Sequence, residues 1–119
     1  DNASHGENLC YHGSGQREQD FVHAADIAAA ITCAVQRPQV SGIFNIAGGR
    51  PTTMRDLALL VQSELSSLSR VCPSGQPDPQ EGFRARFNIS KAKQELGWEP
   101  HIGLGLGIRL WAELLRKGK

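Results

Sequence analysis

The sequence predicts an α/β fold, a small mixed α/β domain, and three observations carry that expectation. A short apolar run, Ile43 to Ala47, stops at Gly48-Gly49 and is followed by a capped helical pattern, the strand–glycine–helix order of an α/β unit. An alanine-rich segment from about Ala24 to Gln36 has apolar residues at helical spacing. A third amphipathic pattern, with Leu104, Ile108, Trp111 and Leu115 on one face, closes the chain in basic residues suited to a helix C-terminus.

The 119 residues suffice for one domain with its own core, and several domains are not expected. A hydrophobic fraction of 39% and a charged fraction of 21% fit a globular chain. Thirteen basic against twelve acidic side chains give a net charge of +1, which offers no long-range pull for nucleic acid or an anionic membrane. An anionic ligand would have to be held by a few local arginines. No run approaches the roughly 20 apolar residues of a membrane span. Cys10, Cys33 and Cys72 lack CxxC spacing, and no signal segment is visible, so a reducing, cytoplasmic setting is the expectation. The start at Asp1, without Met, reads as a processed chain or a piece of a longer one.

In chain order, Asp1 to Asn8 is polar and expected to fray, and Leu9 to Tyr11 is a short strand candidate. Gly13-Ser14-Gly15 is a tight turn of hairpin type; with no GxGxxG or Walker pattern around it, a phosphate cradle is the weaker alternative. After the polar run Gln16 to Asp20, Phe21-Val22 is the apolar extended piece, and a helix begins at His23 or Ala24. Its spacing sets Ile27, Ile31, Ala34 and Val35 on one side, with Cys33 a small packed residue and Arg37-Pro38 the stop. His23 and Asp26, three apart, are read chiefly as caps of the helix start.

Ile43 to Ala47, short and mostly apolar, reads as an interior strand. Thr53 and Asp56 have capping-box spacing for a helix to about Ser67, with Leu57, Leu60, Val61, Glu64, Leu65 and Leu68 as its buried stripe. Residues 71–82 form a flexible loop rich in Pro, Gly, Ser and Asp, a length that is often functional. Gly82 to Phe87 reads as extended; Ser90 caps a short helix, Lys91 to Leu96, ended by Gly97. Trp98 and Trp111 read as core or interface residues rather than base-stacking platforms.

The four histidines are scattered and form no metal-ligand spacing; Tyr11 has no lysine three or four residues on; nothing activates a cysteine. No catalytic, cofactor-binding or metal-ligating residue is therefore assigned. Arg17, Arg84 and Arg86 are the anion-binding candidates, because guanidinium forks suit phosphate oxygens, and Phe83 beside Arg84 presents a ring and a cation together.

Four marks in order carry a resemblance. They are Gly13-x-Gly15 leading to Gln19-Asp20-Phe21-Val22-His23-x-x-Asp26-Ile27-Ala28; Gly42-x-Phe44-Asn45-Ile46-Ala47-Gly48-Gly49 with Thr53; Ile89-Ser90-Lys91-Ala92-x-x-x-Leu96-Gly97-Trp98-x-Pro100; and the closing helix with Ile108 and Trp111. The chain resembles the C-terminal substrate-binding region of the NAD-dependent epimerase/dehydratase family, the extended short-chain dehydrogenase/reductases of UDP-glucose 4-epimerase type. The resemblance spans about Leu9 to Leu115 and implies that residues 1–119 are a nucleotide-sugar-binding part whose Rossmann half, with NAD or NADP and a Tyr-x-x-x-Lys pair, lies elsewhere. Alone, such a part would be catalytically silent, bind no cofactor and expose apolar surface that favours self-association. The family's arginine before Asp-Phe is replaced here by Gln19, with Arg17 two residues earlier; its second arginine corresponds to Arg84, with Arg86 the alternative register, and Asn88 stands for an aspartate. The resemblance thus implies a substrate set of Arg17, Gln19, Arg84 and Arg86. Two other readings remain: part of an NAD(P)-dependent reductase for a non-nucleotide carbonyl, which Gln19 keeps open, and a non-enzymatic interaction module.

Overall fold

Three helices lie around two separate two-stranded sheets in a computed structural model that describes residues 1–118. A 3₁₀ turn, Asn2–His5, opens the chain, followed by β1 (Leu9–Tyr11), β2 (Glu18–Asp20), α1 (Ala24–Val35), β3 (Pro51–Thr53), α2 (Met54–Glu64) and β4 (Val71–Pro73). A wide π-type turn, Ala92–Leu96, and α3 (Leu104–Lys117) complete it. β1 pairs in parallel with β4, and β2 pairs antiparallel with β3.

The mixed α/β class is thus observed, with differences of detail that have local causes. The N-terminal octet is anchored rather than frayed: Ala3 is buried and its carbonyl accepts from Ser67 Oγ at 2.6 Å. The turn at Gly13 and Gly15 does not close a hairpin, because β1 and β2 take partners from later in the chain and sit in different sheets. The second strand is the polar Glu18–Asp20 rather than Phe21-Val22. It pairs with Pro51–Thr53, which carries no alternation to mark it in sequence. Val71–Pro73, expected as loop, is a strand because β1 offers it a ladder.

Ile43 to Ala47 is not a strand. Among the described residues no strand lies beside it, and side chains hold it instead: Lys91 Nζ donates to the Ile43 carbonyl at 3.0 Å and Asn45 Nδ2 to the Asn88 carbonyl at 3.2 Å. Phe44 and Ile46 pack inward while Ile43 is 89% exposed, the alternation of an extended segment without a ladder.

Helix α1 begins where expected, with His23 Nδ1 accepting from the Ala25 amide at 3.0 Å. Its core-facing side is Asp26, Ala30 and Cys33, packed against Ala92, Leu96 and Trp98; Ile27, Ile31 and Val35 point outward. Thr53 caps α2 by accepting from the Asp56 amide at 3.1 Å, and the helix ends at Glu64, three residues short of Ser67, so that Leu68 is fully outside it and exposed. Arg109 Nε, 3.0 Å from Glu64 Oε2, ties α3 to α2. The Lys91 to Leu96 turn is opened by Asn88, whose Oδ1 accepts from the Ser90 amide at 2.9 Å, so Asn88 and not Ser90 supplies the cap. Gly97 ends it in the left-handed conformation at φ 64°.

The core is thin. Buried apolar residues are few and mostly alanine, with Trp98 and Leu96 the large ones, and the chain is a slab of about 50 × 37 × 17 Å. Its accessible surface is 7934 Å², about 1,600 Å² more than a compact monomer of this mass exposes. The expected independent core is only partly realised, since the slab leaves one side of α1 and α3 uncovered.

Candidate functional site

The candidate site is built along β2. Glu18, Gln19 and Asp20 are half-buried between β3 on one edge and the segment 83–86 on the other. The Glu18 amide donates to the Phe83 carbonyl at 3.1 Å, which sets the register of that second edge. Arg84 Nη1 then reaches the carbonyls of Gln16, Glu81 and Phe83 at 3.2, 3.2 and 3.0 Å. Arg86 meets Glu18: Nη2 donates to Oε1 at 3.2 Å, and Nη1 lies 2.8 Å from Oε2 as an ion pair without hydrogen-bond alignment. Arg86 is largely exposed, while Glu18 is nearly covered. Of the four residues singled out in the sequence, Gln19 lies in β2 and Arg17 just before it, while Arg84 and Arg86 lie on the irregular segment bonded to the other edge of β2.

Their charges are not equivalent. Arg17 Nε donates to Asp78 Oδ2 at 2.8 Å and its Nη1 to Gln80 at 3.3 Å, in a pair where Asp78 is almost covered. Arg17 thus anchors the 74–84 segment, and its charge is already balanced. The amide of Gln80 holds the Asp78 carboxyl below the ordinary aspartate value; partial burial opposes this, and the Arg17 guanidinium adds to it. Gln19 stands mid-strand opposite Thr52, uncharged. Of the described Arg84 and Arg86 donors, Nη2 and Nε of Arg84 make no intrachain hydrogen bond, and Arg86 has only Glu18. Phe83 and Phe87 are exposed on either side of them.

Both glycine-rich turns are occupied by carboxylates. Glu81 accepts from the Ser14 amide at 3.1 Å and from its hydroxyl, and Asp20 accepts from the Gly48 and Gly49 amides at 2.5 and 2.8 Å. These are the N–H groups that a dinucleotide's phosphates would require. The residues of this chain do not fit NAD or NADP at either turn. Among the described residues no group of three His, Cys, Asp or Glu side chains is placed to hold a metal ion.

Sequence reasoning missed the residues that build this frame. Asp26 is 3% exposed; its carboxylate accepts from the His101 and Ile102 amides at 3.0 and 2.9 Å, and its carbonyl accepts from Trp98 Nε1 at 2.8 Å. The helix cap is His23 alone. Asp20, Asp78 and Glu81 likewise act on partners 28 to 67 residues away, for which no local spacing gives a signal. Trp98 is buried as expected, whereas Trp111 is 63% exposed at the rim of an apolar cavity of about 390 Å³ between α2, α3 and the β2–α1 link.

The model of the NAD dependent epimerase/dehydratase family matches residues 1–47. UDP-glucuronic acid decarboxylase 1 of Danio rerio is 32% identical over 108 residues, covering 89% of this chain and 25% of that protein. The chain is a relative of the NAD-dependent epimerases and dehydratases. Likeness to solved epimerases extends this to the fold. The UDP-glucose 4-epimerase of Thermotoga maritima, solved with UDP-glucose, superposes at a TM-score of 0.84 with 28% identity, over 98% of this chain and 37% of that one. The UDP-N-acetylglucosamine 4-epimerase of Bacillus cereus superposes at 0.83 with 26% identity, over 96% and 40%. The chain spans about a quarter of the length of the curated relatives it matches. No helix of the described residues is long and apolar enough to cross a membrane.

Proposed function

We propose that this chain is the C-terminal, nucleotide-sugar-binding part of an NAD(P)-dependent epimerase or dehydratase. The observation that carries the reading is the pair Arg84 and Arg86, set against Gln16 and Glu18 at the edge of β2 with guanidinium N–H groups open to solvent. Arg84 keeps Nε and Nη2 without an intrachain partner, and Arg86 two residues on, paired with Glu18 but largely exposed, adds a second guanidinium suited to phosphate oxygens. A fold shared with an epimerase solved with UDP-glucose supports the same ligand class. Arg17 serves this site indirectly, by holding the 74–84 segment through Asp78, and Gln19 contributes an uncharged amide. The reaction itself belongs to residues outside these 119, because neither a Tyr-x-x-x-Lys pair nor a fitting dinucleotide turn is among them.

The rest of the polypeptide, with its Rossmann half and NAD or NADP, is assigned to the uncovered face. Support comes from the surplus accessible surface, the exposed Ile27, Ile31 and Val35 of α1, and Ile43 to Ala47, whose backbone is extended and ready to accept a strand. In isolation the same face would drive self-association. A cytoplasmic setting fits the three free cysteines.

Titration of the protein containing both halves with UDP-glucose, followed by calorimetry, tests the assignment. Binding that weakens about tenfold or more in Arg84→Ala or Arg86→Ala is expected; absence of binding by any UDP-, dTDP- or GDP-sugar overturns it. Gln19 in place of an arginine, with Arg17 neutralised by Asp78, favours a second reading, reduction of a non-nucleotide carbonyl. Turnover of such a carbonyl that is indifferent to both arginine substitutions would select that one.

A further inference from the structure

The parallel ladder carries two sulfurs that the proposed function does not use. β1 and β4 pair with Leu9 opposite Val71, Cys10 opposite Cys72 and Tyr11 opposite Pro73. Opposed residues of one ladder send their side chains to the same face, and Cys10 Sγ lies 3.3 Å from Cys72 Sγ. Two residues on, His12 Nδ1 and Ser74 Oγ are 2.7 Å apart on that face, so the strands stay in register beyond the cysteines. Adjacent strands stand about 4.8 Å apart, inside the Cα separation of roughly 4.4–6.8 Å that a disulfide spans. The cysteines are 62 positions apart in sequence, so only the fold brings them together. Cys10 is exposed and Cys72 half-buried, which leaves the pair open to a small oxidant; Cys33 is distant, packed on the core from α1. A metal is a poorer occupant, since no third imidazole, thiol or carboxylate among the described residues completes a set.

We propose that Cys10 and Cys72 are an oxidisable dithiol which a low-molecular-weight disulfide converts to an intrachain Cys10–Cys72 bond, stapling the base of the 74–84 segment to the strand that enters the 13–15 turn. The step balances as two thiol–disulfide exchanges. One cysteine thiolate attacks a sulfur of the small disulfide and expels one small thiolate; the second cysteine attacks the resulting mixed disulfide and expels the other. The two protein thiols are oxidised, the small disulfide is reduced, and the two protons leave with the two released thiols. The hydrogen bond with Cys72 Sγ pushes the Cys10 thiol above its ordinary value, which lowers its thiolate fraction and slows the first exchange.

The consequence follows from what β4 leads into. Asp78 holds Arg17, and Glu81 holds Ser14, so the segment after Pro73 is tied to the stretch after Tyr11 by side-chain hydrogen bonds. A covalent bond at Cys10–Cys72 fixes β4 to β1 and with it the strand end from which the clamped segment leaves.

The chain is incubated with oxidised glutathione, remaining thiols are alkylated, and peptides are mapped by mass before and after dithiothreitol. Expected are a reducible peptide pair linking Cys10 to Cys72, an alkylated Cys33, and amide exchange about tenfold slower across residues 74–84. Cys72→Ser is expected to hold a persistent glutathione adduct on Cys10 with no change in exchange. A stable adduct on Cys10 in the parent, a dimer linked through Cys10, or a link that forms equally well in urea overturns the dithiol. A link that leaves exchange at 74–84 unchanged overturns the staple.

Discussion

Asp26 is the most exposed point of this structure's logic to test, because one carboxylate joins the start of α1 to the start of α3. Replacing it by alanine leaves the amides of His101 and Ile102, now 3.0 and 2.9 Å from carboxylate oxygens, without acceptors. A buried donor left unsatisfied costs about 1–3 kcal/mol. These two are partly buried, so the lower half of the range applies to each, and Asp26→Ala is expected to cost about 3 kcal/mol in total. With a urea dependence near 1.5 kcal/mol per molar, the unfolding midpoint falls by about 2 M. Asp26→Asn retains one acceptor and turns an N–H toward a donor, for a loss of roughly half that. The Trp98 Nε1 bond goes to the backbone carbonyl of residue 26 and survives both changes. Amide exchange at His101 and Ile102 should therefore accelerate in the alanine variant under native conditions, while the indole proton of Trp98 keeps its protection. A midpoint within about 0.3 M of the parent, or unchanged exchange at those two amides, would refute the claim that the carboxylate carries the junction.

Gly48→Ala places a Cβ against the Phe21 carbonyl and displaces the amides that Asp20 accepts; a loss of about 2 kcal/mol in urea unfolding is expected, whereas Gly82→Ala, whose Cβ meets open space, should stay within about 0.5 kcal/mol. Asp78 has a folded-state value below that of the unfolded chain, so its contribution is present above the ordinary 3.8 and is lost as pH falls through the folded value. Amide exchange in 78–84 should accelerate in an acid step below that value, and the step should vanish in Asp78→Asn. Glu18→Gln frees Arg86 from its ion pair; UDP binding by the protein with both halves should strengthen, and weakened binding would count against a phosphate role for Arg86.

The parts of the fold that were legible are those decided within one element. His23, Thr53 and Gly97 mark ends of their elements because caps act over two to four residues, and α1, α2 and α3 were visible through spacing. Of the strands, Leu9–Tyr11 was found, whereas Glu18–Asp20, Pro51–Thr53 and Val71–Pro73 were not, since their pairing is fixed by tertiary contacts. The site was legible as residue types and not as roles. Arg17 and Gln19 fall on the β2 stretch and Arg84 and Arg86 on the segment beside it, yet the acidic partners of Arg17 and Arg86, Asp78 and Glu18, could not be matched to them across 60 or more residues of sequence.

A misread strand and an unpartnered helix face share one cause, and it bears on function. Ile43 to Ala47 has the composition of an interior strand, and Ile27, Ile31 and Val35 have the spacing of a buried stripe, yet the first has no ladder among the described residues and the second faces outward. Either pattern alone could be a local accident. Both stand in a slab whose buried apolar residues are mostly alanine, in a chain with about 1,600 Å² of surplus surface. An interface of standard size buries about 800 Å² per partner, so the surplus is large enough for a permanent contact. On the proposed function, the environment these residues are built for is completed by the rest of a longer polypeptide, a reading supported by the quarter of its curated relatives' length that the chain spans. On this argument amide exchange across residues 43–47 should be fast in the 119-residue chain and strongly protected in a protein that includes the remaining three quarters of its relatives' length; equal exchange in both would mean that the strand-like composition of this segment serves no ladder.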